Sequence, residues 1–426
     1  MNNKIISSRN NNIDRHTIQV KDALQRITKY ISPLPSEEVV LEDAFGRYLA
    51  VTVSADHPLP HFRRSGMDGF SIRAEDIRFA TLDNPVILKV VDTIPSGSLP
   101  SCAISRGQAS RTMTGAMVPE GANAVIMLEM TQELVEHGEP YIRITKSIPA
   151  GTNISDIGSE LREGELVLKS GQKISAGEIA LLASFGYDRV PVYRRPKAAI
   201  IATGSELLEI AEPLVPGKIR NSNLSMLAAQ VKQYGGEPIA LGTASDDIEE
   251  VSKLIDEAFQ QADIVITTGG VSVGDYDIVS HIFSEWKQSV LFNKLAMRPG
   301  SVTSAALKDE KLILGLSGNP GACFVAFELL VRPVLLGMQG ERKLFLPECT
   351  AYLANDFNKV NAYTRYVRGV CYTEGGKLFA RQVGADQSAV VTSIKDANCL
   401  IVIPPGGQGL KAGEPISVLL LGGVKC

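Results

Sequence analysis

Acidic residues and glycine-rich turns recur where apolar runs end in the middle of this chain. Ile264-Val265-Ile266-Thr267-Thr268 breaks into Gly269-Gly270-Val271-Ser272-Val273-Gly274, and Asp275 and Asp277 follow. A buried strand that delivers such a loop brings backbone N–H groups and carboxylates to one spot. The N–H groups suit an oxyanion, and the carboxylates suit a hard cation such as Mg²⁺. Three further runs end alike: Ala198 to Ala202 in Thr203-Gly204-Ser205-Glu206, Pro238 to Leu241 short of Ser245-Asp246-Asp247, and Leu312 to Leu316 in Ser317-Gly318-Asn319-Pro320-Gly321. A single carboxylate at a helix start serves equally well as an N-cap, worth about 1 kcal/mol. Several of them on one sheet edge, together with Gly-rich loops, point to a ligand site. Lys294 and Arg298 follow another candidate strand and suit pairing with a negative ligand, or solvation at the surface.

Other motifs say less. Ser65-Gly66-Met67-Asp68-Gly69-Phe70 is a polar turn with one carboxylate, and Thr112-Met113-Thr114-Gly115-Ala116 is a second small-residue segment. His57 and His61 stand beside Pro58 and Pro60, which suits a loop better than a metal-binding helix. The GxGxxG, GxxxxGK[ST] and GxSxG patterns do not occur.

The elements that must carry these residues fall into three regions. Residues 1–15 are Asn-rich, lack the apolar core of a signal peptide and are expected to form a disordered tail. Residues 16–195 open with an amphipathic helix (Val20, Ala23, Leu24, Ile27, Ile31) and continue as a β-rich lobe over about 54–147, followed by a helix from Ser175 to Phe185. Residues 196–345 alternate strand and helix, which predicts a parallel sheet with helices on both faces and a ligand beyond the carboxyl ends of its strands. One of these helices is capped by Asn221-Ser222-Asn223 and another carries Ile248, Val251, Leu254 and Ile255. Residues 346–426 read as β throughout, with Glu374-Gly375-Gly376 as a hairpin turn, and predict a small barrel or sandwich.

Composition frames this reading. The chain has 426 residues, 44% hydrophobic and 21% charged, enough for several domains. Lys plus Arg number 43 against 47 Asp plus Glu, a net charge of −4 that argues against a general nucleic-acid or membrane-surface binder. Six scattered cysteines without zinc spacing suit a reduced, cytoplasmic protein. No apolar run is expected to reach the ~20 residues of a membrane span.

Five motifs in order carry a resemblance: Met67-Asp68-Gly69-Phe70, Met113-Thr114-Gly115-Ala116, Thr203-Gly204-Ser205-Glu206-Leu207, Thr268-Gly269-Gly270-Val271-Ser272-Val273-Gly274 and Gly318-Asn319-Pro320. Together they resemble the MoeA family of molybdopterin molybdenumtransferases, which includes the gephyrin E domain, from about residue 17 to 420. The resemblance implies a two-part N-terminal region, a three-layer α/β domain of the molybdopterin-binding type and a small C-terminal β-barrel. It implies an enzyme that takes adenylylated molybdopterin and molybdate to molybdenum cofactor with Mg²⁺, releasing AMP. Asp68, Glu206, Asp246 and Asp277 would be catalytic, with Asp246 and Asp277 on Mg²⁺. Thr114, Gly204, Gly269, Gly270, Ser272, Gly274, Lys294, Arg298, Gly318, Asn319 and Pro320 would hold the substrates. A homodimer with its active cleft shared between subunits is implied too, as is a molybdopterin adenylyltransferase as upstream partner.

The chain departs from the family pattern at several charges. Ser155, Ser159 and Glu160 stand where the pattern has Arg, Glu and Asp, Ser301 where it has Lys, and Arg63 where an acidic residue is common. Arg64 and Arg162 are candidates to compensate. Two other functions compete: a nucleotide pyrophosphatase on the same α/β domain, and a scaffold that holds molybdopterin without turnover. The acidic cluster speaks against the scaffold, since like charges weaken anion binding.

Overall fold

In the computed structural model, residues 16–245, 247–270, 281–283, 286, 289–407 and 409–422 are described. The chain divides into two units, one formed by Thr52–Lys169 with Gly177–Asp188 and the other by the remainder. The two segments of the first unit are joined to the second at 170–176 and 189, so the N-terminal third of the chain contributes to both.

The second unit contains the α/β sheet. Its strands lie in the order Glu237–Ala244, Lys197–Thr203, Ile264–Thr268, Lys311–Leu316, Ser304–Lys308, Val290–Phe292. The first four are parallel, and the last two run antiparallel to their neighbours. The expected parallel sheet is therefore mixed at one edge. Side chains alternate along the buried strands. Ala198, Ile200, Ile264, Ile266, Leu312 and Leu314 face one core, shared with Leu227 and Val231 of helix Ser222–Gln233 and with Val20, Ala23 and Ile27 of helix Val20–Thr28. Ala199, Ile201, Val265 and Ile313 face the other core, filled by Val251, Ile255 and Ala258 of helix Ile248–Gln261. Two cores on one sheet make the three-layer domain, and period-2 alternation in the strands produces them.

A continuous helical stretch, Pro320–Met338, closes the first core. It is 19 residues long and apolar enough to cross a membrane, contrary to the expectation from the sequence, and 89% of its apolar window is buried within the protein. Its middle, Phe327–Val331, is a π-helical turn ending two residues before Pro333, which has no N–H to give the helical ladder.

Glu348–Leu353, Thr364–Glu374, Lys377–Gln382, Cys399–Ile403 and Pro415–Leu420 close into a five-stranded barrel, since Thr364–Glu374 pairs with both Lys377–Gln382 and Cys399–Ile403. Gly375 and Gly376 make its two-residue hairpin turn, both with positive φ. Ala351, Val367, Cys371, Ala380, Ile401 and Val418 fill the interior.

The first unit is built on a six-stranded sheet ordered Ala124–Met127, Gly69–Ile72, Gln108–Thr112, Val86–Ile94, Glu139–Ile144, Thr131–Glu136. Phe70, Ile72, Leu88, Ile126, Ile142 and Ile144 form its core.

Candidate functional site

Three parallel strands of the α/β sheet end side by side at Thr203, Thr268 and Leu316. Each is followed by a glycine turn, and the three turns form the floor of an open cavity of about 700 Å³. Gly269 explains why a side chain is not tolerated there. Its φ is +91°, and a Cβ would lie 2.2 Å from the carbonyl oxygen of Thr203. Backbone rather than side chain faces the space, as an anion cradle requires.

Buried hydrogen bonds fix the last two of these turns to one another. Asn223 Nδ2 donates to Thr268 Oγ1 and to the Gly318 carbonyl, both at 2.8 Å. Thr268 Oγ1 donates to the Ser317 carbonyl at 3.1 Å, and the Asn319 N–H donates to Ser317 Oγ at 3.2 Å. Asn223 stands in the first turn of helix Ser222–Gln233, whose N-cap Asn221 accepts from the Leu224 N–H at 3.1 Å. Behind the floor the Cys323 thiol, in sulfur contact with Thr268 Oγ1 at 3.6 Å, is pushed up to about 12 by burial, which leaves it neutral.

Charged groups stand on the rim. Gly204, Glu206, Gly269, Gly270, Arg298, Gly318, Asn319 and Pro320 all line the cavity. Lys294 does not: it is half-buried, its carbonyl accepts the Ile18 N–H at 3.2 Å, and it is not part of the lining. Asp246, Ser272, Gly274, Asp275 and Asp277 lie outside the described residues. Asp247 is the N-cap of helix Ile248–Gln261, accepting from the Glu250 N–H at 2.9 Å.

The C-terminal barrel supplies lining residues that sequence reasoning missed: Arg365, Ser388 and Ala389. Strand Met297–Arg298 pairs in parallel with the start of barrel strand Thr364–Glu374, placing Arg298 opposite Arg365. Two arginines and one described acidic residue, Glu206, thus line the space, a balance suited to a polyanion.

Asp68 and Thr114 meet in the other unit. The Thr114 N–H and hydroxyl donate to Asp68 Oδ1 at 2.7 and 3.0 Å, and the backbone bond first, then the hydroxyl, holds the Asp68 carboxyl below its usual range. Gly69 lets the strand pass close to its neighbour, since a Cβ would lie 2.0 Å from the Ile126 carbonyl oxygen. The rearranged charges of this unit pair with one another: Arg64 with Glu160 at 2.5 Å and Arg63 with Asp156 at 3.5 Å. Arg64 therefore has its own counter-charge, supplied by the Glu that stands in the family's Asp position. His57 hydrogen-bonds Asp56 at 2.7 Å and packs on Phe185, and among the described residues no group of three His, Cys, Asp or Glu is placed to hold a metal ion.

Comparison with known proteins covers nearly the whole chain. Residues 18–186 match the MoeA N-terminal region (domain I and II), 199–337 a probable molybdopterin binding domain, and 350–421 the MoeA C-terminal region (domain IV). A molybdopterin molybdenumtransferase of Bacillus subtilis is 44% identical over 407 residues, 96% of this chain and 95% of that protein. One from Staphylococcus aureus is 42% identical over 406 residues, 95% of this chain and 96% of its own. The crystal structure of the molybdopterin biosynthesis MoeA protein from Pyrococcus horikoshii OT3 superposes with a TM-score of 0.81 at 30% identity, covering 95% of this chain and all of that one.

Proposed function

The chain belongs to the MoeA family of molybdopterin molybdenumtransferases, enzymes of molybdenum cofactor biosynthesis, and we propose that it inserts molybdenum from molybdate into adenylylated molybdopterin with release of AMP. The observation that carries the proposal is the glycine-floored cavity at the carboxyl ends of the parallel strands, with Arg298 and Arg365 on its rim. Its floor offers backbone to phosphate or molybdate oxygens, and a Cβ at Gly269 would clash with the Thr203 carbonyl. Its two guanidinium groups offset the negative charge of molybdate and of the substrate diphosphate. Molybdate is substrate here, and bringing it beside the dithiolene is chiefly a matter of position.

Asp246 and Asp277 are the carboxylates that would hold Mg²⁺, with Glu206 positioning the metal or water. A set of one or two carboxylates completed by substrate phosphates is the mode this ion favours. When bound, it would neutralise charge on the diphosphate. In the same reading the protein works in the cytoplasm as a homodimer, each cleft shared between the α/β domain of one copy and the Asp68–Thr114 lobe of the other. A molybdopterin adenylyltransferase supplies the substrate.

AMP release from adenylylated molybdopterin, assayed with and without molybdate and Mg²⁺, tests the reading. Release is expected to require both, and Asp277→Ala and Glu206→Gln are each expected to lower it about 10²-fold. Release that ignores molybdate would make the protein a pyrophosphatase. Tight binding without release would make it a scaffold.

A further inference from the structure

We propose that Asp386 and Asn361 are positioning residues that aim the Arg365 guanidinium into the cavity, while Lys359 keeps that corner positively charged. The inference rests on the reading of the cavity as an oxyanion site.

Arg365 is the second residue of the barrel's longest strand and commits two of its three side-chain nitrogens. Nε donates to Asn361 Oδ1 at 2.5 Å, and Nη1 donates to Asp386 Oδ2 at 2.7 Å. Both acceptors are themselves fixed. The Asp386 side chain is only 4% exposed, against 19% for that of Arg365. Asn361 is buried, its carbonyl accepts the Gly406 N–H at 2.7 Å, and its Nδ2 donates to the Lys359 carbonyl at 3.2 Å. Among the described residues Nη2 takes part in no hydrogen bond, so one edge of the fork remains for a ligand. A planar guanidinium held on two sides cannot swing, and its last donor is directed rather than merely charged.

The charges decide what that donor can bind. An Arg–Asp pair alone would present no net charge to an anion. Lys359 Nζ reaches the same carboxylate, 3.2 Å from Oδ2 and 3.0 Å from the backbone oxygen of Asp386. Two cations share one anion, and the trio keeps a positive charge beside the cavity. The sequence gives no local sign of this arrangement: Lys359, Asn361 and Arg365 precede or open one strand, and Asp386 lies in the irregular segment after the next.

Charge and orientation predict opposite outcomes for one variant. Asp386→Ala adds net positive charge at the rim, so a purely electrostatic corner would bind molybdate more tightly. Loss of the tether predicts weaker binding, by about tenfold, with turnover at saturating molybdate within about twofold of the parent. Molybdate titration by calorimetry on the full-length protein, paired with AMP release at varied molybdate, reads both. Asp386→Asn keeps an acceptor oxygen and is expected to recover most of the affinity. In an Arg365→Ala background neither Asp386 variant should change the dissociation constant further. The inference is overturned if Asp386→Ala binds molybdate as well as or better than the parent, or loses as much again in the Arg365→Ala background. If Asp386→Ala does not fold, Asn361→Leu, tested in the same two backgrounds, carries the same expectation for the Nε tether. A parent protein that binds no molybdate would sink the oxyanion reading, and this inference with it. A parent that binds molybdate without releasing AMP would sink only the enzymatic step.

Discussion

Asp68 owes its character to a backbone amide more than to any charge. The Thr114 N–H and hydroxyl both point at Oδ1 and favour the ionised carboxylate, which therefore serves as an acceptor or counter-charge rather than a proton donor at neutral pH. The consequence for stability has a definite sign. With the folded-state pKa below the unfolded value of about 3.9, these bonds stabilise the fold fully above that pH. The contribution is lost as pH falls through the lower, folded value. Wild type is expected to melt at higher temperature than Asp68→Asn at pH 6, and the gap should narrow as pH falls through the folded value. A gap independent of pH would mean that the carboxylate charge is not what the turn recognises. Thr114→Val removes only the hydroxyl bond, so most of the depression should survive when the carboxyl is titrated by NMR.

At the scale of elements, the site depends on two neighbouring strand ends held together by one buried amide. Asn223 bridges Thr268 and the Gly318 carbonyl, and its loss leaves a buried acceptor unpaired. Asn223→Ala is expected to cost about 1–3 kcal/mol in urea unfolding and to raise the KM for adenylylated molybdopterin. A stability loss without a change in KM would separate the amide from the shape of the floor. The same strands mark what was readable beforehand. Apolar β-branched runs ending in glycine announced the floor, because a buried strand and an open backbone leave a local signature. Asn221 announced its helix, because a cap is local too. The hairpin Ser304–Lys308 to Lys311–Leu316 was hidden: its first strand opens with small residues, and its turn puts Asp309 and Glu310 at positive φ where Asn-Gly would be the usual sign. Arg365 was hidden for another reason. Only its pairing opposite Arg298 brings it to the cavity, and register between segments so far apart in the chain is invisible to periodicity.

Across the whole molecule, the barrel and the α/β domain form one wall. Arg368 is 3% exposed and donates to the carbonyls of Gly321 and Gln387 and to Ser393 Oγ, tying the barrel to the start of the helix that follows the Ser317–Asn319 turn. The Ala322 N–H reaches the Ser388 carbonyl at 3.2 Å and closes the same seam. Arg365 and the glycine floor therefore belong to one copy of the chain and one rigid surface. Asp68 and Thr114 belong to the other unit, and the proposed dimer brings them to that surface from the second copy. This arrangement makes an arithmetical prediction. Assayed at molybdate well below the dissociation constant of the Arg365→Ala protein, Asp68→Ala and Arg365→Ala should each be nearly inactive as pure dimers. Unfolded together and refolded as a mixture, half of the dimers are hybrids, and each hybrid holds one cleft with both residues intact. AMP release should recover to about a quarter of the wild-type rate, because closed two-fold symmetry pairs each defective lobe with a defined cleft. Recovery requires that the two residues act across copies. If the refolded mixture stays as inactive as its parents while wild type survives the same treatment, Asp68 and Arg365 serve the same copy's cleft and the shared-site arrangement falls.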